Sequence, residues 1–193
     1  LHRNLTHFAS RDAMDIDGVG PAVIKQLIDK EMVKTPADLY FLTADQLADL
    51  ERMGKKSARN AVDAIAASKD RGLERLLYAL GIRQVGQKAG KILAAHFGSF
   101  DALAQATEEE LTAIEDVGGI TAAYIRKWLE NPQSKHLISR LKEAGVSMEA
   151  ARQSAGEQFK GMTFVLTGAL EKFTRDEAAA LIEARGGKAS GSV

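Results

Sequence analysis

The sequence predicts a mainly α fold: four glycine hairpins between helices, arranged as two pseudo-repeats and followed by a truncated α/β segment. The glycine turns carry the first part of that reading. Gly18-Val19-Gly20, Arg52-Met53-Gly54, Gln84-Val85-Gly86 and Asp116-Val117-Gly118 recur with their last glycines 34, 32 and 32 residues apart. Internal duplication carries the second part. An offset of 64 superimposes Thr35 on Ser99, Thr43 on Thr107, Leu47 on Leu111, Met53 on Val117, Gly54 on Gly118 and Ala58 on Ala122. An offset of 66 places Gly20 on Gly86 and Leu27 on Leu93. Repeats of this size mark stacked supersecondary units that share a core. The third observation is a change of texture near Ser147, where helical rhythm gives way to an Ala/Glu/Gln-rich stretch and then to strand-type residues.

Taken in order, residues 1–146 read as helical nearly throughout. Each hairpin follows an apolar helical stretch and precedes another helix with a small residue near its start: Ala22, Ala58, Ala89 and Ala122. Thr35-Pro36-Ala37-Asp38 and Thr43-Ala44-Asp45-Gln46 are helix starts, with a capping threonine in each and proline in the first turn of the former. Thr107-Glu108-Glu109-Glu110 is a capping box, and its acids read as first-turn charge favourable to the helix dipole, not as a metal site. Leu73, Leu76, Leu77 and Leu80 give one buried stripe. Tyr78 and Trp128 fall within such stripes and read as core residues, not base-stacking platforms. Residues 147–158 are expected to be a linker. From Gly161 to Gly168 the residues read as a buried strand ending in a glycine turn, then comes a helix over Thr174 to Arg185, closed by Gly186-Gly187. Lys188 to Val193 opens a second strand. Residues 159–193 therefore form a β-α-β start with nothing after it.

Composition bounds the function. At 193 residues, with 45% hydrophobic and 27% charged residues, the chain has ordinary globular character. It has no cysteine, which excludes disulfides, thiolate metal sites and cysteine nucleophiles. His2, His7, His96 and His136 lack ligand spacing, and no metal site or catalytic constellation is expected. No apolar run approaches the roughly 20 residues that span a bilayer, so no membrane association is expected and a cytoplasmic location is the default. The chain opens on Leu1, which suggests a piece of a longer protein. Net charge is zero, but its distribution is lopsided. Ten basic and three acidic residues lie between Arg52 and Lys91, against six acids and no base between Asp101 and Ile120. Such a pattern presents a basic face to nucleic acid while the whole remains neutral.

A helix that starts directly after a glycine turn points its free N–H groups and the positive end of its dipole outward, where a phosphate oxygen binds. Four such spots at regular spacing suit a nucleic-acid backbone. The candidate phosphate-binding residues are Gly18, Gly20, Arg52, Gly54, Lys55, Lys56, Arg59, Arg83, Gly86, Lys88, Gly118 and Gly119. The second and third hairpins are the strongest, because Lys55, Lys56 and Lys88 add cations beside the turn. The fourth is the weakest, since Asp116 beside Glu115 would repel phosphate. The bland alternative makes the glycines helix caps and turns only.

With these hairpins and this ending, the chain resembles the C-terminal part of bacterial NAD-dependent DNA ligases. The resemblance rests on Ala13-Met14-Asp15-Ile16-Asp17-Gly18, on Leu77-Tyr78-Ala79-Leu80-Gly81-Ile82-Arg83-Gln84-Val85-Gly86, and on Gly161, Thr167-Gly168 and Gly186-Gly187. It implies a helix-hairpin-helix domain over residues 1–146 and the opening of a BRCT domain over 159–193. There Thr167 and Gly168 are a candidate phosphate contact, as the same position is in some BRCT domains. It also implies that the parent enzyme uses NAD, magnesium and zinc in replication and repair. The NAD-binding, adenylation, OB-fold and four-cysteine zinc regions would precede Leu1 and be partners of this part. No K-x-D-G tetrapeptide, the family's adenylation motif, occurs in the chain. The implied role is therefore binding of double-stranded or nicked DNA without sealing it, and no cofactor is expected within the chain itself. Only the first hairpin keeps both glycines of the family's turn; Arg52, Gln84 and Asp116 replace the first glycine elsewhere. Two other readings stay open at this point: a subunit of a repair nuclease or junction-processing complex, and a BRCT-type interaction scaffold.

Overall fold

The first helix, α1 (His2–Ala9), buries Leu5, Phe8 and Ala9 and ends in a tight turn that leads to the first hairpin. A computed structural model describes residues 1–150, 159–166 and 174–190. The chain divides into two compact units, Leu1–Ala151 and Arg152–Val193. The first unit continues with α2 (Pro21–Asp29), a 3-10 helix (Pro36–Phe41), α3 (Ala44–Ala48) and α4 (Lys55–Ser68). It then repeats the scheme with α5 (Leu73–Ala79), α6 (Gln87–Phe97), α7 (Phe100–Gln105), α8 (Glu108–Thr112) and α9 (Gly119–Glu130), and adds α10 (Pro132–Glu143). The duplication read from the sequence is structural. The 3-10 helix, α3 and α4 begin 64 residues before α7, α8 and α9, and α2 begins 66 before α6.

Local chemistry explains where these elements start. Thr43 and Thr107 accept from the amides of Gln46 and Glu110, whose side chains reach back to the cap amides, so both are capping boxes. Ser99 and Asn131 cap α7 and α10. Before the 3-10 helix, Asp38 accepts from the amides of Lys34 and Thr35 at 2.7 and 2.9 Å.

One continuous apolar core runs through the unit, from Leu5, Phe8 and Met14 through Ile24, Leu39 and Leu47 to Leu73, Leu77, Leu93, Leu103 and Ile125. Tyr78 and Trp128 are half-buried against it, and each meets a neighbouring ring edge-on: Tyr78 with His7, Trp128 with Phe100. Helices α1 and α5 join the two repeats. His7 Nε2 donates to the Tyr78 carbonyl at 2.8 Å. Arg71 donates to the carbonyls of Met14 and Asp15, and Arg75 to those of Ala13 and Arg11. These two arginines belong to the basic segment of the sequence, yet their guanidinium groups tie down a turn after α1. Part of that segment's charge is architectural.

The expected linker starts at Ser147. Its first residues are an extended strap: Ser147 donates to the Lys69 carbonyl, the amides of Leu73 and Phe100 donate to Glu149 and Met148, and Ala150 donates to Gly98. Met148 and Ala150 pack against the core. Its remaining residues, 151–158, lie outside the described ones, as do Thr167 and Gly168.

In the second unit, β1 (Thr163–Val165) and β2 (Lys188–Ser190) pair in parallel, with Thr163 opposite Lys188, and α11 (Arg175–Ala184) lies between them in sequence. Thr174 and Glu177 form a capping box at its start. A Cβ at Gly187 would fall 2.7 Å from Ile182 Cγ2 and 2.8 Å from Phe159 Cβ, so glycine there lets the chain turn tightly against α11. The two strands and one helix agree with the β-α-β start read from the sequence.

Candidate nucleic-acid interface

Each hairpin is built the same way. The amide of the apolar middle residue donates back across three residues: Val19 to Ile16 at 3.4 Å, Met53 to Leu50 at 3.2 Å, and Val85 to Ile82 and Val117 to Ile114, both at 3.0 Å. Val19, Val85 and Val117 are buried and Met53 half-buried, which anchors the loop to the core. The residue before each has a left-handed φ: Gly18 at 83°, Arg52 at 60°, Gln84 at 69° and Asp116 at 68°. A positive φ at the third position is what a type II turn requires. Loss of the first glycine in three hairpins therefore changed the side chain and not the backbone path. At Gly18 a Cβ would make ordinary contact with Ala61, 3.5 Å away, so the positive φ and not crowding is what favours glycine there.

The last glycine of each turn is the cap of the following helix. Gly20, Gly54, Gly86 and Gly118 have φ of −90°, −95°, −88° and −79° with extended ψ, a conformation open to any residue. A Cβ at any of the four would meet nothing within 4 Å. Neither backbone conformation nor packing among the described residues requires glycine there. The neighbouring helices α3, α7, α8 and α10 carry a side-chain cap, whereas α2, α4, α6 and α9 carry none, and no acid stands in their first turns. Their first amides thus face outward without a side-chain acceptor, beneath exposed glycines.

One turn further on, the fourth residue after the cap donates its amide back to the glycine carbonyl: Ile24, Ala58, Gly90 and Ala122. All four are buried. This corrects the small-residue register, since Ala22 is exposed and Ala89 half-buried while Ile24 and Gly90 hold the equivalent inward position. At Gly90 a Cβ would sit 2.8 Å from the Glu74 carbonyl, so α6 lies against α5 as only glycine allows.

Around the second hairpin, Lys55 and Lys56 are the first two residues of α4. With Arg59 they line a shallow cleft against Ala44, Asp45 and Ala48 of α3. Arg52 and these three cations are all exposed. In the third hairpin Lys88 is the second residue of α6, and the Arg83 guanidinium stacks 5.1 Å above the Tyr124 ring of α9. The fourth hairpin stands beside the third: Asp116 Oδ2 is 3.6 Å from Lys88 Nζ, both side chains well exposed, so the pair is a weak one. Asp116 thus draws on a cation of the third hairpin. The first hairpin is fixed to the second by Gln26, whose amide side chain accepts from Glu51 N at 2.7 Å and donates to Glu51 O at 3.2 Å. Neither Gln26 nor Tyr124 stands out in the sequence, and only spatial proximity marks them.

The chemistry on offer is binding. Among the described residues no group of three His, Cys, Asp or Glu side chains is placed to hold a metal ion, and no helix is long and apolar enough to cross a membrane. With no cysteine in the sequence, the chain has no ligands for a four-cysteine zinc module.

Comparison with known proteins agrees with this architecture. Residues 10–67 match the family described as SAM-like helix-hairpin-helix tandem, and residues 75–138 match the helix-hairpin-helix motif. The two matches fall on the two repeats. The "DNA ligase" of Koribacter versatilis is 47% identical over 193 residues, covering 100% of this chain and 29% of that protein. The "DNA ligase" of Heliobacterium modesticaldum is 52% identical over 98% of the chain and 28% of its own length, and that of Caldicellulosiruptor bescii is 48% identical over 100% and 28%. The chain is homologous to part of the DNA ligases. It spans under a third of the length of these relatives. Its first unit is a tandem helix-hairpin-helix module of the ligase type, and the short parallel pair that follows is compatible with a truncated BRCT-like segment.

Proposed function

We propose that this chain is the duplex-gripping module of an NAD-dependent DNA ligase, binding nicked or continuous double-stranded DNA through its backbone and without sequence preference. The observation that carries the reading is the set of four cap glycines. Each keeps an open space and an uncapped helix start that the fold itself does not need, and a close-approaching phosphate makes use of both. In this reading Gly18, Gly20, Gly54, Gly86, Gly118 and Gly119 present amides to phosphates. Arg52, Lys55, Lys56, Arg59 and Lys88 supply the salt-dependent attraction, and Arg83, stacked on Tyr124, adds a fixed cation. Among the described residues near the hairpins no array of side chains offers bidentate base readout, which makes the grip indifferent to sequence. The module holds a nick in register while other ligase regions, carrying the nucleotide and metal chemistry, join the ends in replication and repair in the cytoplasm. Without a K-x-D-G lysine the chain alone binds and does not seal.

Titration of DNA affinity against salt tests this. With about four to six phosphates neutralised, log affinity should fall against log salt with a slope of roughly −4 to −5. Lys55→Ala with Lys56→Ala should leave helicity intact and reduce that slope by up to about two. A salt-independent affinity, or an unchanged slope in the folded double variant, would refute the assignment.

A further inference from the structure

The pseudo-repeat makes hairpin four the counterpart of hairpin two, and their surfaces differ systematically. At the same offset of 64, Arg52 becomes Asp116, Lys55 becomes Gly119, Lys56 becomes Ile120 and Arg59 becomes Ala123. Every cation of one tip is absent from the other. Yet the backbone is the same: a left-handed third residue, an extended cap glycine and an uncapped helix start. Ile120 is the second residue of α9 and 72% exposed, the most exposed large apolar side chain among the described residues. It occupies the helical position held in the second and third tips by Lys56 and Lys88. The 3.6 Å approach of Lys88 to Asp116 shows that this tip lies beside the third hairpin, on the same surface.

Resting on the DNA-binding reading above, we propose that Ile120 is an apolar contact of the duplex, seated against deoxyribose carbons that line the minor groove between phosphates held by the other hairpins. An exposed isoleucine gains by leaving water against carbon. Within reach of a gripped backbone, B-form DNA offers carbon as sugar faces, which every nucleotide carries, or as thymine methyls in the major groove, which only some carry. The sugar contact is the one that agrees with a grip indifferent to sequence. It divides labour between hairpins: the second and third attract, and the fourth seats without a charge that salt can screen.

The test uses the whole 193-residue chain on an A·T-rich and a G·C-only fluorescent duplex across a salt series. Ile120→Ala should weaken binding roughly fivefold at every salt concentration and equally on both duplexes, with the salt slope unchanged. Ile120→Leu should restore most of the loss, and circular dichroism of both variants should match the parent. Lys88→Ala, run alongside, should instead lower the slope by about one. Undiminished binding by Ile120→Ala overturns this inference alone, as does a loss confined to the thymine-containing duplex or one that appears in the slope. Failure of the unsubstituted chain to bind either duplex overturns the DNA-binding reading, and this inference with it.

Discussion

Gly86 and Gly90 stand on one helix for unrelated reasons, and a single pair of substitutions separates them. Gly90 is buried, and a Cβ there would press to 2.8 Å from the Glu74 carbonyl of the neighbouring helix. Gly90→Ala should therefore cost about 1–3 kcal/mol of stability through overpacking, read as a lower midpoint in thermal or urea unfolding. Gly86 has an ordinary extended cap conformation and open space beyond it. Serine or aspartate there should cap α6 and raise stability by a few tenths of a kcal/mol. The same change should lower DNA affinity, because the new side chain takes an amide and the space that a phosphate would use. Aspartate should act more strongly than serine, since it adds repulsion. Opposite signs for stability and binding distinguish a phosphate grip from a structural turn. A Gly86→Ser variant that binds DNA as well as the parent would leave the glycine with no role in the grip.

At the scale of elements, what the sequence showed were the features set by near neighbours. Helix starts at Thr43, Thr107 and Thr174 were legible because a capping box needs residues only three apart. The hairpins were legible because glycine punctuates a chain. Contacts between elements were not, since nothing in Gln26 announces Glu51, and nothing in the charge of Arg71 and Arg75 announces carbonyls 56 to 64 residues away. The clamp between the 3-10 helix and α10 is another such contact. Arg140 pairs with Asp38 and also lies 4.8 Å over the Phe41 ring. Burial works against the charge on Asp38, but the Lys34 and Thr35 amides and the Arg140 guanidinium outweigh it and hold the carboxyl below its ordinary value. A carboxyl depressed in the folded state stabilises above its unfolded pKa of about 4 and loses that contribution as pH falls through the folded value. Asp38→Asn should flatten the acid limb of the stability–pH curve below about pH 4. Near neutrality it should cost about 1–3 kcal/mol by leaving Arg140 unpaired. An identical acid limb in the variant would show that Asp38 is not the group that titrates.

Taken as a whole, the helical unit is a duplicated module whose two halves share one core and whose ends are joined by a segment that composition alone assigns to a linker. The four hairpin tips lie at the starts of α2, α4, α6 and α9. The strap from Ser147 to Ala150 bonds instead near the ends of α4 and α6 and the starts of α5 and α7, at Lys69, Gly98, Leu73 and Phe100. It therefore supports the framework from the end of the helices away from the hairpin glycines. Sequence could not show this, because an alanine- and glutamate-rich stretch has no apolar rhythm, and its four backbone hydrogen bonds leave no side-chain signature. Truncation isolates its contribution. A chain ending at Ala150 should keep its helicity and most of its DNA affinity, since the hairpins and their cations are all retained. A chain ending at Val146 loses those bonds and uncovers part of the core, and should be less stable by roughly 2–4 kcal/mol at about 1 kcal/mol per hydrogen bond. Its DNA affinity should persist well below its melting temperature, because no hairpin tip has been touched. Urea midpoints for the two truncations, measured beside their salt-dependent DNA affinities, decide the matter. Equal midpoints would make the strap an ornament of the fold, and loss of binding on removing residues 151–193 would place part of the grip in the second unit.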